Sequence, residues 1–251
     1  MYLFFLPLAI IFCGGFLPLV FWRHFTLMKS IGFLAIAGGG LLGLVDAGTK
    51  LFRPGPYTVA FEYLNTFSLS FQIDALSAFF LVAIYAVCLL AAIYSYHYMD
   101  NPKKAFRAAG NYFFFSLLTA SMALVVTAGN LIAFMLSWEI MSLSSFFLVV
   151  YNYEAEENRK AGYLYFVFTQ VGAMFILAAF GLIYAQSSNF GFADAAALPE
   201  TVKIIVFVLA FIGFGSKAGV FPFHVWLPHA HPAAPSHISC LLYTSDAADE
   251  C

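Results

Sequence analysis

The chain has 251 residues, 63% hydrophobic, 19% aromatic and 10% charged, with a formal net charge of −2. Soluble domains carry about 25% charged and about 45–50% apolar residues, so this composition excludes an ordinary soluble globule and makes lipid the main solvent. The weakly acidic balance excludes a nucleic-acid partner, and four scattered cysteines with no CxxC pair exclude a disulfide framework.

A membrane-crossing helix needs about 20 predominantly apolar residues. The first such run is 1–22, closed by Arg23 and His24; it lacks a basic leader and a small-residue cleavage site, so it reads as a span rather than a signal peptide. The second is 30–48, with Asp46 near its end. Segment 49–72 contains RPGP, then YTVAFEY and FSLSFQI, whose period-two alternation predicts a small strand pair at the membrane surface. The third span is 73–98. The run 111–153 is too long for one helix, and Gly129-Asn130 divides it into a fourth and a fifth. The sixth is 161–185, the seventh runs from 203 to about 221, and an eighth begins near Ser236. The expected fold is all-α: a polytopic membrane protein of about seven transmembrane helices plus the start of an eighth, with a discontinuous seventh helix.

Lys and Arg mark cytoplasmic loops. Arg23, Lys29, Lys103, Lys104, Arg107, Arg159 and Lys160 fall on one side, against Lys50, Arg53 and Lys203 on the other. The N-terminus and the 49–72 hairpin are therefore expected outside.

Two ionisable residues lie inside spans. Glu139 is nine residues past Asn130, about 14 Å into its helix and close to the midplane. A charge there costs about 3 kcal/mol on insertion scales. It is either a neutral acid hydrogen-bonded between helices or an ion or proton site facing the interior, and Ser137, Ser142, Ser144 and Ser145 supply polar neighbours. Lys217 is either a lysine snorkelling from a helix end or a proton-exchanging ammonium. Gly213, Gly215 and Gly219 around it, and Pro222 after it, predict a broken helix, which membrane proteins tolerate only where the freed backbone is buried or lines a wet cavity. His224 and His231 are candidate proton relays. His229 and His237 read as interfacial, and His97 as surface. The histidines have no thiol or carboxylate at ligand spacing, so no metal site is expected, and no haem motif or glycine-rich nucleotide loop predicts a cofactor.

The stretches SWEIMSLSSFFLVVY, FGSKAGVFPFHVWLPHAHPAAPSHIS and SFQIDALSAFFLVAIYAV resemble the antiporter-like, proton-conducting membrane subunits. That superfamily includes the large membrane subunits of NADH:quinone oxidoreductase, of Mrp-type sodium/proton antiporters and of membrane-bound hydrogenases, and IDALSAFFL, YFVFTQVGAMFIL and HVWLPHAHPAAPSH are most similar to the formate-hydrogenlyase type. The resemblance covers about residues 60–239. It implies that Glu139 and Lys217 share a half-channel in which changes in their pairing drive proton uptake and release, with His224 and His231 nearby. It implies a discontinuous helix at that lysine, where Gly215, Gly219, Pro222 and Pro228 are the residues expected to shape the break. It also implies two inverted repeats. On that pattern 1–107 is an N-terminal three-helix unit with an external hairpin, and 108–239 is the first, incomplete repeat. The tail 240–251, CLLYTSDAADEC, departs from the pattern and is expected to be foreign to the fold. An uncharged TQVGAM on the sixth span departs from relatives that carry a basic–acidic pair there.

The expected function is a proton-translocating membrane subunit of a respiratory or hydrogenase-type oxidoreductase complex. It would hold no redox centre of its own and would sit in a bacterial or archaeal inner membrane beside other membrane and peripheral subunits. The alternative is a subunit of a Mrp-type cation/proton antiporter without redox chemistry, moving protons or sodium.

Overall fold

A computed structural model describes residues 2–53, 55, 57–63 and 67–243. Residues 244–251, most of the atypical tail, lie outside the described residues. Nine helices follow one another among those described, with one hairpin: α1 (Tyr2–Val20), α2 (Phe25–Phe52), β1 (Tyr57–Tyr63), β2 (Phe67–Ile73), α3 (Ala75–Tyr98), α4 (Ala105–Val126), α5 (Leu131–Val149), α6 (Glu156–Ser187), α7 (Glu200–Ala218), α8 (Leu227–Ala233) and α9 (Ser236–Tyr243). Six segments are long and apolar enough to cross a membrane: α2 to α6, and 200–233 taken as one interrupted span. The apolar run Phe4–Val20 in α1 is shorter than these, so the expected count of about seven spans is matched only roughly. The chain is a multi-pass membrane protein.

Their outer faces are built for lipid. Leu34, Leu90, Met174, Ile204 and Phe207 are all more than 60% exposed, which in water would be a large apolar patch. Between helices the contacts are small, as membrane packing without a hydrophobic driving force requires. A side chain at Gly15 would collide with Ser116 of α4 at 2.3 Å, so α1 and α4 touch there through backbone. At Gly172 and Gly213, α6 and α7 meet the same way: a Cβ on Gly213 would lie 2.8 Å from the Gly172 carbonyl oxygen.

β1 and β2 pair antiparallel, with Tyr57 opposite Ile73. Asp74 then caps α3, accepting a 2.7 Å bond from the Ser77 N–H, which holds its carboxyl below the usual carboxylate range. Asn130 caps α5 through the Ala133 N–H (2.8 Å), and its amide donates back to the Ser68 carbonyl of β2. The Gly129 N–H donates to the Ser70 carbonyl (2.7 Å), and the Leu131 N–H to the Phe190 carbonyl (2.9 Å). The Gly129–Leu131 turn thus clasps the hairpin, the α4–α5 connection and the α6–α7 loop at one end of the molecule.

The opposite end carries the basic turns. Lys29 pairs with Asp100 (2.9 Å) and Arg107 with Glu154 (2.5 Å), drawing the α2 start, the α3–α4 turn and the α5–α6 turn together. The Arg107 guanidinium holds the Glu154 carboxyl below its ordinary range.

α7 is regular as far as Ala218. Gly219 then takes a left-handed conformation (φ 70°), and the Val220 N–H donates to the Gly215 carbonyl (3.0 Å). This is the glycine-terminated stop of an ordinary helix. A short 3-10 turn, Phe223–Trp226, leads into α8, with Pro222 as its cap and Pro228 in the first turn of α8. The seventh helix is discontinuous as expected, but its backbone does not loosen around Lys217. Gly213 and Gly215 lie inside the regular helix; Gly213 serves close packing on α6, and Gly215 supplies the carbonyl that takes the stop. α9 begins at Ser236 and continues to Tyr243, so the helix enters the first four residues of the atypical tail.

Candidate functional site

Lys217 sits in the last turn of α7, half-buried, two residues before the stop. Its Nζ donates to Tyr165 Oη on α6 at 2.6 Å. Tyr165 is fully buried, and its hydroxyl also lies 2.5 Å from Ser145 Oγ on α5. Ser145 reaches the carbonyls of Met141 and Ser142 at 2.9 Å each. A continuous array, Lys217–Tyr165–Ser145, therefore runs from α7 across α6 into α5. The Trp226 indole packs edge-on against the Tyr165 ring (5.0 Å) and donates to the Ser216 carbonyl at 2.9 Å, tying the connector after the break back to the last turn before it.

Glu139 lies six residues before Ser145 on α5. It is half-buried and accepts a 3.2 Å bond from Gln170 Nε2 of α6. No ion pair joins Glu139 to Lys217 among the described residues. Instead each is bonded to the same helix, α6.

The serines expected around Glu139 are buried: Ser137, Ser142, Ser144 and Ser145 are all at most 4% exposed. Ser144 and Ser145 bond their own helix, whereas Ser142 Oγ is buried without a partner. His224 lies in the 3-10 turn with its ring against Phe221 (5.6 Å), and its Nδ1 is buried and unpartnered. His231 is on α8, its Nδ1 2.6 Å from Ser239 Oγ, so it joins α8 to α9. His97, read as surface, is exposed, and His229, read as interfacial, is exposed as well. His237 is not interfacial: it is 1% exposed, 2.9 Å from Asn111 Oδ1, between the rings of Tyr98 and Phe115. A histidine next to a proline at a span boundary looks interfacial in sequence; here α9 turns it inward onto α4. Among the described residues no three His, Cys, Asp or Glu side chains gather as metal ligands.

Sequence alone singles out neither Tyr165 nor Gln170, the two groups that hold the ionisable pair. Both hide in an apolar run, AGYLYFVFTQVGAM.

Residues 128–248 match the family model described as NADH:quinone oxidoreductase/Mrp antiporter, transmembrane, and residues 63–107 match the complex I chain 5 N-terminus. The chain belongs to the antiporter-like membrane subunit superfamily. It is similar to hydrogenase-4 component B of Escherichia coli, 37% identical over 81% of this chain and 30% of that protein. It is also similar to NAD(P)H-quinone oxidoreductase subunit 5 of the Paulinella chromatophora chromatophore, 31% identical over 72% of this chain and 28% of that protein. The fold matches a chain of the Mrp complex from Dietzia, with a TM-score of 0.81 over 97% of this chain and 26% of that one, at 21% identity. The chain spans about a third of the length of the curated relatives it matches. The family match reaches residue 248, past the point where the sequence pattern is expected to fail.

Proposed function

We propose that the protein is a proton-translocating membrane subunit of a respiratory or hydrogenase-type oxidoreductase complex, in which Lys217 and Glu139 carry the proton. The reading places it in a bacterial or archaeal inner membrane with its N-terminus outside, in contact with other membrane and peripheral subunits. The observation that carries it is Lys217: an ammonium inside a membrane span, at the end of an interrupted helix, bonded into a line of hydroxyls. A purely structural role gives no reason to accept that insertion cost. The printed names of the relatives, a hydrogenase component and a quinone oxidoreductase subunit, support the redox partner complex.

Lysine can lose its proton in a protein; arginine does not. Lys217→Arg in the full-length protein of the assembled complex should therefore lose pumping nearly as completely as Lys217→Ala, measured by quenching of a ΔpH-sensitive dye in inverted vesicles. Normal pumping by the arginine variant would mean that a fixed positive charge suffices, and the relay role would be abandoned. The matched family's description, which couples NADH:quinone oxidoreductase with Mrp antiporter, supports a second reading, cation/proton antiport without redox chemistry. With no electron donor present, a ΔpH set up by ATP hydrolysis and then collapsed by added sodium would favour it.

A further inference from the structure

Resting on the proton-relay reading above, we propose that α6 is the element that holds the two ionisable groups apart, with Tyr165 and Gln170 as positioning residues whose bonds serve either charge state. Tyr165 takes Lys217 at 2.6 Å and Gln170 takes Glu139 at 3.2 Å. The two holders are five residues apart on α6, about 7.5 Å along its axis, and their counterparts Ser145 and Glu139 are six apart on α5, about 9 Å. Opposite charges attract more strongly away from water than in it. The pair nevertheless stays apart because each member already has a partner on the helix between them.

The chemistry of the holders matters more than their presence. Tyrosine and glutamine both donate and accept, and neither titrates near neutral pH. When Lys217 is charged it can only donate. Tyr165 Oη then accepts, its O–H points at Ser145 Oγ, and the Ser145 O–H points at the carbonyls of Met141 and Ser142, 2.9 Å away. When Lys217 is neutral the order reverses: Tyr165 donates to the amine lone pair and Ser145 turns its hydrogen to Tyr165. Only hydrogens rotate. Gln170 serves Glu139 by a different movement: it donates through Nε2 to a carboxylate, and a half-turn of its amide presents the carbonyl to a protonated acid. Tyr165 and Gln170 neither gain nor lose a proton overall.

The test uses the full-length protein in its complex, with the vesicle assay. The other titratable and charged groups on α6 and the elements packed against it are Glu139 on α5, His224 in the connector, His229 and His231 on α8, Glu200 and Lys203 at the start of α7, and Glu156, Glu157, Arg159 and Lys160 in the first turns of α6, which line one cleft with His229; Arg107 and Glu154 pair near the far turn of α5. Tyr165→Phe removes one hydroxyl and keeps the ring; Gln170→Leu removes the amide. Charge-assisted bonds are the stronger ones, so each loss falls on the charged form. Tyr165→Phe should move the alkaline limb of the pumping profile to lower pH, and Gln170→Leu should move the acid limb to higher pH, each with about a tenfold loss of rate at neutral pH. A merely structural role moves neither limb. Wild-type rates and profiles in both variants, with Lys217→Ala inactive beside them, overturn this proposal and leave the relay intact. A normally pumping Lys217→Ala removes the relay on which it stands. Should Tyr165→Phe fail to assemble, Ser145→Ala makes the same test at the next hydroxyl: an alkaline limb moved to lower pH supports the array, and an unmoved one overturns it.

Discussion

At Glu139 a carboxyl stands near the middle of a span, where an uncompensated charge costs about 3 kcal/mol, and its recorded bond is to a neutral amide. Glu139→Gln preserves shape and hydrogen bonding while removing the titration. In the assembled complex it should reduce pumping at least about tenfold without loss of assembly, by the same dye assay; unchanged pumping would make Glu139 a structural contact only. The ionisable pair is legible in sequence because charge inside an apolar run has few alternative explanations. Tyr165 is not, and the reason is angular. Tyr163 and Tyr165 are two residues apart, about 200° around a helix, so one faces lipid when the other faces protein. Tyr163 is 71% exposed and Tyr165 is fully buried. Nothing in an apolar run says which of two tyrosines turns inward until the neighbouring helices are in place. Gln170 is hidden for the same reason.

Among the elements, the stop after α7 rests on one backbone position. Gly219 has φ 70°, a conformation that costs an ordinary residue about 1–2 kcal/mol. Gly219→Ala should lower stability by about that amount, read as a reduced unfolding midpoint in detergent. Gly215→Ala is the control: the nearest atom to its new Cβ would be 3.7 Å away, an ordinary contact, so this helix-interior change should leave stability unchanged or raise it by up to about 1 kcal/mol. Equal losses in the two variants would show that backbone conformation is not what matters at Gly219. Most element positions are readable from sequence. The strand pair coincides with YTVAFEY and FSLSFQI, and α9 starts at Ser236, because period-two alternation and proline punctuation are local signals. The glycines before the break are not readable in the same way, because sequence does not separate a glycine that unwinds a helix from one that lets two helices touch. Gly213 does the second, against Gly172.

Across the whole molecule the basic turns gather at one end and the hairpin at the other, joined by ion pairs on one side and the Asn130 clasp on the other. If the basic end is cytoplasmic, single cysteines at Gly55 and Asn101, introduced after replacing the native ones, should label from opposite faces of sealed vesicles. Labelling of both from one face would overturn the assigned span count. The end-to-end separation follows from counting spans. The three-way junction at Gly129–Leu131 does not, since Asn130 reaches back 62 residues to Ser68 and Leu131 reaches forward to Phe190.

That junction has a mechanical meaning. It fastens the α6–α7 loop to the start of α5 and to the hairpin, so the near ends of α6 and α7 have little room to travel. Lys217 is far from that anchor: it lies 17 residues beyond Glu200, the first residue of α7, at the end of about 26 Å of rigid rod. At that far end the Gly213–Gly172 contact, one turn before Lys217, and the bond to Tyr165 fasten the rod to α6 a second time. The lysine is thus held between two fixed points of one frame, and any shift of α6 is passed directly to it.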